Sequence, residues 1–129
     1  SGGGRRGETC YAPAVVTGAS PEARLSRQEV FGPVLAVYPF TDLEAAFAAA
    51  NDLPYAFQAA VFTRDIDTAL AAYRHLDASA VMVNDHTAFR VDWMPFAGLR
   101  ESGLGVGGIP YTYRDMTIEK MLVLRSGAL

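Results

Sequence analysis

The chain has 129 residues, half of them apolar, a single cysteine, and a formal charge of −3 from 11 basic and 14 acidic side chains. That length and apolar content fit one folded domain and exclude a disordered chain. The mild acidity leaves no electrostatic footprint for nucleic acid or an anionic bilayer, and no apolar run approaches the ~20 residues of a membrane span. No signal-peptide pattern opens the sequence, and a lone cysteine points to a reducing cytoplasm rather than a disulfide framework.

The Gly-rich basic opening SGGGRRGE (1–8) reads either as a turn entered from preceding chain or as a flexible end. AVVTG (14–18) reads as a short strand and ASPEARLSR (19–27) as a connecting loop. VLAVYPF (34–40) is a β-branched and aromatic run of strand length, and its unbroken apolar character predicts burial on both faces. Thr41 with Glu44 three residues on has the pattern of a capping box. Leu43, Ala46, Phe47 and Ala50 then share one helical stripe. Pro54 closes that helix, because proline excludes its predecessor from the helical region. AAVFT (59–63) predicts another strand. Asp65 can cap a second helix whose stripe is Ile66, Ala69, Leu70, Tyr73 and Leu76, and AVMVN (80–84) is a third apolar strand. The order β-α-β-α-β predicts an α/β fold with a parallel, right-handedly wound core. After Asp85 comes a long loop with Pro95 and the glycines at 98, 103, 105, 107 and 108. A short helix is expected over 111–116 and a last strand over EKMLVLR, 119–125.

Ligands of parallel α/β sheets meet the carboxyl ends of the strands. The loop after Asn84, with Asp85 and His86, is therefore the place to look for a site. His86 reads as a base or as polar surface, with no partner carboxylate or nucleophile at useful spacing. His75, late in the second helix, suits the helix dipole and reads as structural. GLGVGG (103–108) spells G-x-G-x-x-G, but a dinucleotide fingerprint needs a strand before it, a helix after it and an acid about twenty residues on. Glu119 comes too soon, and close-packed or flexible backbone explains the glycines better. Cys10 lacks the helix start or fixed cation that lowers a thiol pKa and reads as an ordinary thiol. One cysteine and two distant histidines make no metal site.

Three segments taken together carry a specific pattern: QEVFGPVLAVYPF (28–40), NDLPYAFQAAVFTRDIDTAL (51–70) and VNDHTAFRVDWMPFAGLRESGLG (83–105). They contain E-x-F-G-P, N-x-x-x-Y, V-F-T-R-D and P-F-x-G-x-[KR]-x-S-G in order. In these motifs and their spacing, nearly the whole chain resembles the C-terminal part of the aldehyde dehydrogenase superfamily. The resemblance implies a partial three-layer αβα fold, with 1–117 belonging to the catalytic domain and 118–129 forming an oligomerisation strand. It also implies oxidation of an aldehyde to a carboxylic acid with NAD or NADP.

On that resemblance, Glu29 would accept hydrogen bonds from the nicotinamide ribose, since a carboxylate offers two oxygens to a vicinal diol. Phe31 would lie beside the nicotinamide, and Gly32-Pro33 would fix the turn presenting both. The motif alone fits a helix-terminal acid and a core ring equally well. Phe96 matches the aromatic wall of the aldehyde pocket, with residues 84–90, His86 and Arg90 among them, lining its entrance. Arg90 either pairs with a small anionic aldehyde or forms a structural ion pair with Asp92 or Glu101.

The family's nucleophilic cysteine (G-Q-x-C), its base (E-L-G-G-like) and its dinucleotide-binding domain belong upstream of the matched part. Neither setting occurs here, and Cys10, just before P-A-V (13–15), is not that nucleophile. The chain would then be about a quarter to a third of an enzyme. Alone it would be inactive, with cofactor bound only by the complete enzyme. Its partners would be the missing N-terminal portion, a small aldehyde and a further copy in a homo-oligomer. Four departures stand out: Gln28, Ala56, Ala97 and Val106-Gly107. Ala56 and Ala97 stand where the family has glycine, and alanine tolerates positive φ poorly, so both turns are expected to be altered. A different class of reading is a stand-alone, non-catalytic association module with the same fold.

Overall fold

A computed structural model describes residues 1–127, and the chain divides into two compact units, Ser1–Ala49 and Ala50–Leu129. In the first, β1 (Arg5–Arg6) and β2 (Cys10–Tyr11) form a short antiparallel hairpin. The glycines before it are ordered: Gly2 bridges Ala14, and the Gly3 N–H donates to the Pro13 carbonyl at 3.0 Å. Gly2 has φ 82°, and a Cβ there would meet the Pro13 oxygen at 2.3 Å, so only glycine fits.

β3 (Ala14–Thr17), α1 (Arg24–Arg27) and β4 (Val34–Val37) follow, the single turn of α1 lying within the stretch expected to be loop. β3 and β4 pair in parallel, Ala14 opposite Val34 and Thr17 opposite Val37. Val34 and Ala36 are half-buried, but Leu35 is 60% exposed and Val37 is exposed as well. The burial of β4 on both faces that its sequence calls for is not met. α2 (Leu43–Asn51) starts on Asp42, not on Thr41. The Asp42 carboxylate accepts from the N–H groups of Glu44 and Ala45 at 3.3 Å each. Two acceptor oxygens directly before the first helical residue outcompete a hydroxyl one position earlier. Phe47 is the buried ring of this helix.

The second unit continues with β5 (Tyr55–Ala56), β6 (Gln58–Val61), α3 (Ile66–His75), β7 (Ala80–Val83), β8 (Leu99–Arg100) and α4 (Ile109–Asp115). β6-α3-β7 is the expected parallel βαβ unit, with Gln58 opposite Ala80 and Val61 opposite Val83, and α3 packed on β7. The α/β class is as the sequence indicates, but its parallel ladders come as two pairs, β3–β4 and β6–β7. Apolar runs mark strands without naming their neighbours. β5 pairs antiparallel with β8, Tyr55 opposite Arg100 and Ala56 opposite Leu99.

α3 is capped as predicted: Asp65 Oδ2 accepts the Thr68 hydroxyl at 2.6 Å and the Thr68 N–H at 2.8 Å. The hydroxyl, and then the amide, hold the Asp65 carboxyl below its ordinary value of 3.8. A depressed folded pKa stabilises above the ordinary carboxylate range, and that contribution drains away as pH falls through the folded value. The Tm difference between wild type and Asp65→Asn is therefore expected to shrink as pH is lowered from 7 into the acid range. A pH-independent difference in calorimetry would show that the charge contributes nothing. The side chains of α3 that face inward are Ala69 and Ala72, while Ile66 and Tyr73 are each 70% exposed. The predicted stripe is wider than the two strands beneath it.

Among the described residues, the non-glycine positions with left-handed φ are Phe31, Asn84 and Arg100. Ala56, buried in β5, and Ala97 are not among them, so neither turn requires the glycine the family has there. The left-handed bend falls on Arg100 instead. The strand expected at 119–125 does not form: residues 117–126 have no ladder partner among the described residues, and Ile118, Met121, Leu122 and Val123 are exposed. Positions 128 and 129 of that segment lie outside the described residues. No helix among the described residues is long and apolar enough to cross a membrane.

Candidate functional site

Glu29 and Phe31 lie in the first unit, between α1 and β4. The Glu29 side chain is exposed and accepts no hydrogen bond from the described residues. Phe31 is 92% exposed with φ 50°, a conformation that costs a bulky residue about 1–3 kcal/mol. The turn behind it explains why it persists. The Val34 N–H donates to the Gly32 carbonyl at 2.8 Å, and the Pro33 carbonyl accepts the Ala14 N–H at 2.9 Å, which opens the β3–β4 ladder. Proline needs no donor at that point and sets the entry angle of the strand. An open carboxylate followed two residues later by an uncovered ring offers acceptor oxygens beside a flat apolar face.

The pocket candidates lie in the second unit and are only partly assembled there. Phe96 meets Phe57 edge-on, with ring centroids 5.0 Å apart and planes at 87°. The Arg90 guanidinium carbon lies 4.0 Å from the centre of the same Phe96 ring. Neither predicted ion pair forms, with Asp92 or with Glu101. Arg90 instead keeps its charge over an aromatic face with its hydrogen-bond donors unused by any carboxylate among the described residues. Phe96 is fixed through its backbone, exchanging hydrogen bonds with Gly107 at 3.1 and 2.8 Å. Beside it, a cavity of about 370 Å³ is lined by Arg90, Asp92, Gly108, Ile109, Thr112 and Tyr113. His86 is not brought to this cluster. Its imidazole is exposed, with Nε2 3.8 Å from Asp85 Oδ1.

GLGVGG is no phosphate cradle: of its glycines, Gly107 pairs with Phe96, and Gly108 leaves no room for a Cβ against the Met94 carbonyl oxygen, 2.5 Å away. Gly98 is packed equally tightly, its missing Cβ 2.4 Å from the Ser102 backbone. The Ser102 hydroxyl accepts the Ala56 N–H at 3.0 Å, which explains the small residues of P-F-x-G-x-R-x-S-G as loop packing. Cys10 is exposed in β2, and the described residues hold no grouping of three metal-ligating side chains. Sequence reasoning missed Phe57, the second ring of the cluster, because it lies between the N-x-x-x-Y motif and the strand expected at 59–63. It also missed the side-chain anchors at Asn84 and Arg100, where no sequence signal marks a left-handed arginine.

The family model for the aldehyde dehydrogenase family matches residues 1–122. Among curated proteins, the 3-sulfolactaldehyde dehydrogenase of Priestia aryabhattai is 37% identical over 122 residues, which is 95% of this chain and 26% of that protein. The crystal structure of aldehyde dehydrogenase 21 from Physcomitrella patens, in complex with the reaction product succinate, superposes with a TM-score of 0.88 at 36% identity. That match covers 98% of this chain and 27% of that protein. The glyceraldehyde-3-phosphate dehydrogenase GapN from Methanocaldococcus jannaschii, complexed with NADP, gives a TM-score of 0.80 at 33% identity, covering 88% and 25% of the two chains. The chain thus spans about a quarter of the length of the relatives it matches. A match across nearly every residue, with the same fold at this level of identity, means that the chain belongs to the aldehyde dehydrogenase family.

Proposed function

We propose that this chain is the C-terminal segment of an NAD(P)-dependent aldehyde dehydrogenase that oxidises a small anionic aldehyde to its carboxylic acid. The observation that carries this reading is uncovered surface. The chain exposes 10536 Å², against about 8,000 Å² for two separately folded bodies that share its 13.8 kDa. The excess of about 2,500 Å² is more than the ~800 Å² that one partner contributes to a standard interface. The rest of the enzyme and a neighbouring subunit would together cover it.

Within the complete enzyme, Glu29 holds the ribose hydroxyls and Phe31 braces the nicotinamide. Bound NAD or NADP supplies the acceptor for hydride from the aldehyde carbon. Phe96 and Phe57 wall the pocket and exclude water, and Arg90 anchors the far end of the substrate. Sulfolactaldehyde, the succinate product and glyceraldehyde 3-phosphate each carry an anion away from the reacting carbon, the chemistry an unpaired guanidinium serves. The cysteine nucleophile and the base come from chain preceding Ser1. The extended segment 117–126 adds as a strand to a neighbouring subunit, which satisfies its open backbone.

The test compares the 129-residue chain with the complete polypeptide that contains it. The complete enzyme is expected to reduce NAD or NADP with an aldehyde present. The isolated chain is expected to show no turnover and to self-associate in light scattering. A monodisperse chain that turns over aldehyde unaided would overturn the reading.

A further inference from the structure

Two of the three left-handed non-glycine residues, Asn84 and Arg100, bracket the segment that carries His86, Arg90 and Phe96. Each is tied down by three hydrogen bonds to the scaffold of the second unit. At the first end, the Asn84 N–H donates to the Val61 carbonyl at 2.8 Å. Its side-chain amide then takes over the ladder. Oδ1 accepts the Thr63 N–H and Nδ2 donates to the Thr63 carbonyl, both at 2.8 Å. The amide thus imitates one further peptide of β7 while the main chain, at φ 58°, turns away from the sheet. Asparagine tolerates that conformation better than other side chains.

The other end has no such tolerance. Arg100 sits at φ 54°, strained for a long side chain. Its Nη1 donates to the carbonyls of Asn51 at 2.7 Å and Leu53 at 2.5 Å, and its Nη2 binds the Asp77 carboxylate. Asn51 completes the cluster by donating to the His75 carbonyl at 2.6 Å and accepting the Asp77 N–H at 2.9 Å. The guanidinium therefore fastens β8 to the turn that enters β5 and to Asp77 beyond α3. β8 pairs with β5, and β5 leads directly into Phe57, whose edge meets the Phe96 ring.

We propose that Arg100 is a positioning residue: its clamp on Asn51, Leu53 and Asp77 holds Phe57 against Phe96 and so sets the pocket in which Arg90 works. Asn84 does the same service at the opposite end of the segment. The inference rests on the reading of the chain as part of an aldehyde dehydrogenase. A merely structural arginine would lower Tm and leave the remaining enzyme kinetically normal, whereas a positioning one shifts binding of one substrate selectively.

The test uses the complete enzyme with Arg100→Gly, which removes both the clamp and the φ strain, and Arg100→Lys, which keeps a charge but cannot fork. In Arg100→Gly the aldehyde KM is expected to rise about fivefold or more, with cofactor Kd unchanged. Hydrogen exchange in peptides covering 85–99 should accelerate while that of β6 and β7 stays at the wild-type rate. Arg100→Lys should fall between the two. Wild-type KM and exchange in Arg100→Gly overturn the proposal, as does a uniform acceleration accompanied by equal loss of cofactor binding. If the wild-type enzyme oxidises no aldehyde, the functional reading fails instead, and the exchange measurement still decides whether the clamp orders the segment.

Discussion

Replacing Glu29 by alanine in the complete enzyme is expected to weaken cofactor binding by roughly 10- to 150-fold. A hydrogen bond to an ionised group contributes about 1.5–3 kcal/mol, and each 1.4 kcal/mol is a factor of ten. The Glu29 carboxylate has no partner among the described residues, so its removal leaves no orphaned group and the fold is expected to survive. Glu29→Gln keeps one acceptor oxygen and loses the charge, and should give an intermediate Kd. The sugar is common to NAD and NADP, so the loss should be similar for both. Titration of the cofactor by fluorescence, followed by steady-state kinetics, checks this. Unchanged Kd together with unchanged kcat would remove the role assigned to Glu29.

The second large effect concerns Arg90 and is a change of preference. Arg90→Gln is expected to lower kcat/KM for an aldehyde with a distal sulfonate, carboxylate or phosphate by roughly 10- to 150-fold. A neutral aldehyde of similar length should lose less than about threefold, the share owed to the contact with the Phe96 ring. Arg90→Lys restores charge without the planar fork and should recover only part of the loss. Equal losses on charged and neutral aldehydes would mean that the guanidinium shapes the pocket without reading the anion.

Local structure was legible where one residue type decides it. Asp65 caps α3 because a carboxylate before a helix has a definite job, and the strands at 14–17, 34–37, 58–61 and 80–83 fall on or overlap the apolar runs at 14–18, 34–40, 59–63 and 80–84. What depends on distant chain was less so. The neighbour of β4 is β3, and nothing in VLAV distinguishes that pairing from one with β6. Ile66, Leu70 and Tyr73 of the helical stripe and Leu35 and Val37 of β4 have the composition of a core yet stay exposed, which periodicity alone does not foretell. The candidate site residues come from the motif combination, and the structure adds what spacing leaves open: Arg90 chooses the ring of Phe96 over either nearby carboxylate. The clamp made by Arg100 is not legible from its place in P-F-x-G-x-[KR]-x-S-G, because its three partners are scattered over residues 51, 53 and 77.

Among the described residues the buried apolar side chains are Phe47, Ala56, Ala69, Ala72 and Met82, three of them alanine. So slight an interior has a consequence during synthesis. At about 5–20 residues per second, a stretch of this length takes on the order of ten seconds to leave the ribosome. Through that interval, in the complete enzyme proposed above, Phe31, Leu35 and Tyr73 emerge with little of their own to hide behind and depend on the rest of that enzyme to receive them. Chaperone dependence of the whole enzyme should therefore concentrate in the translation of this stretch.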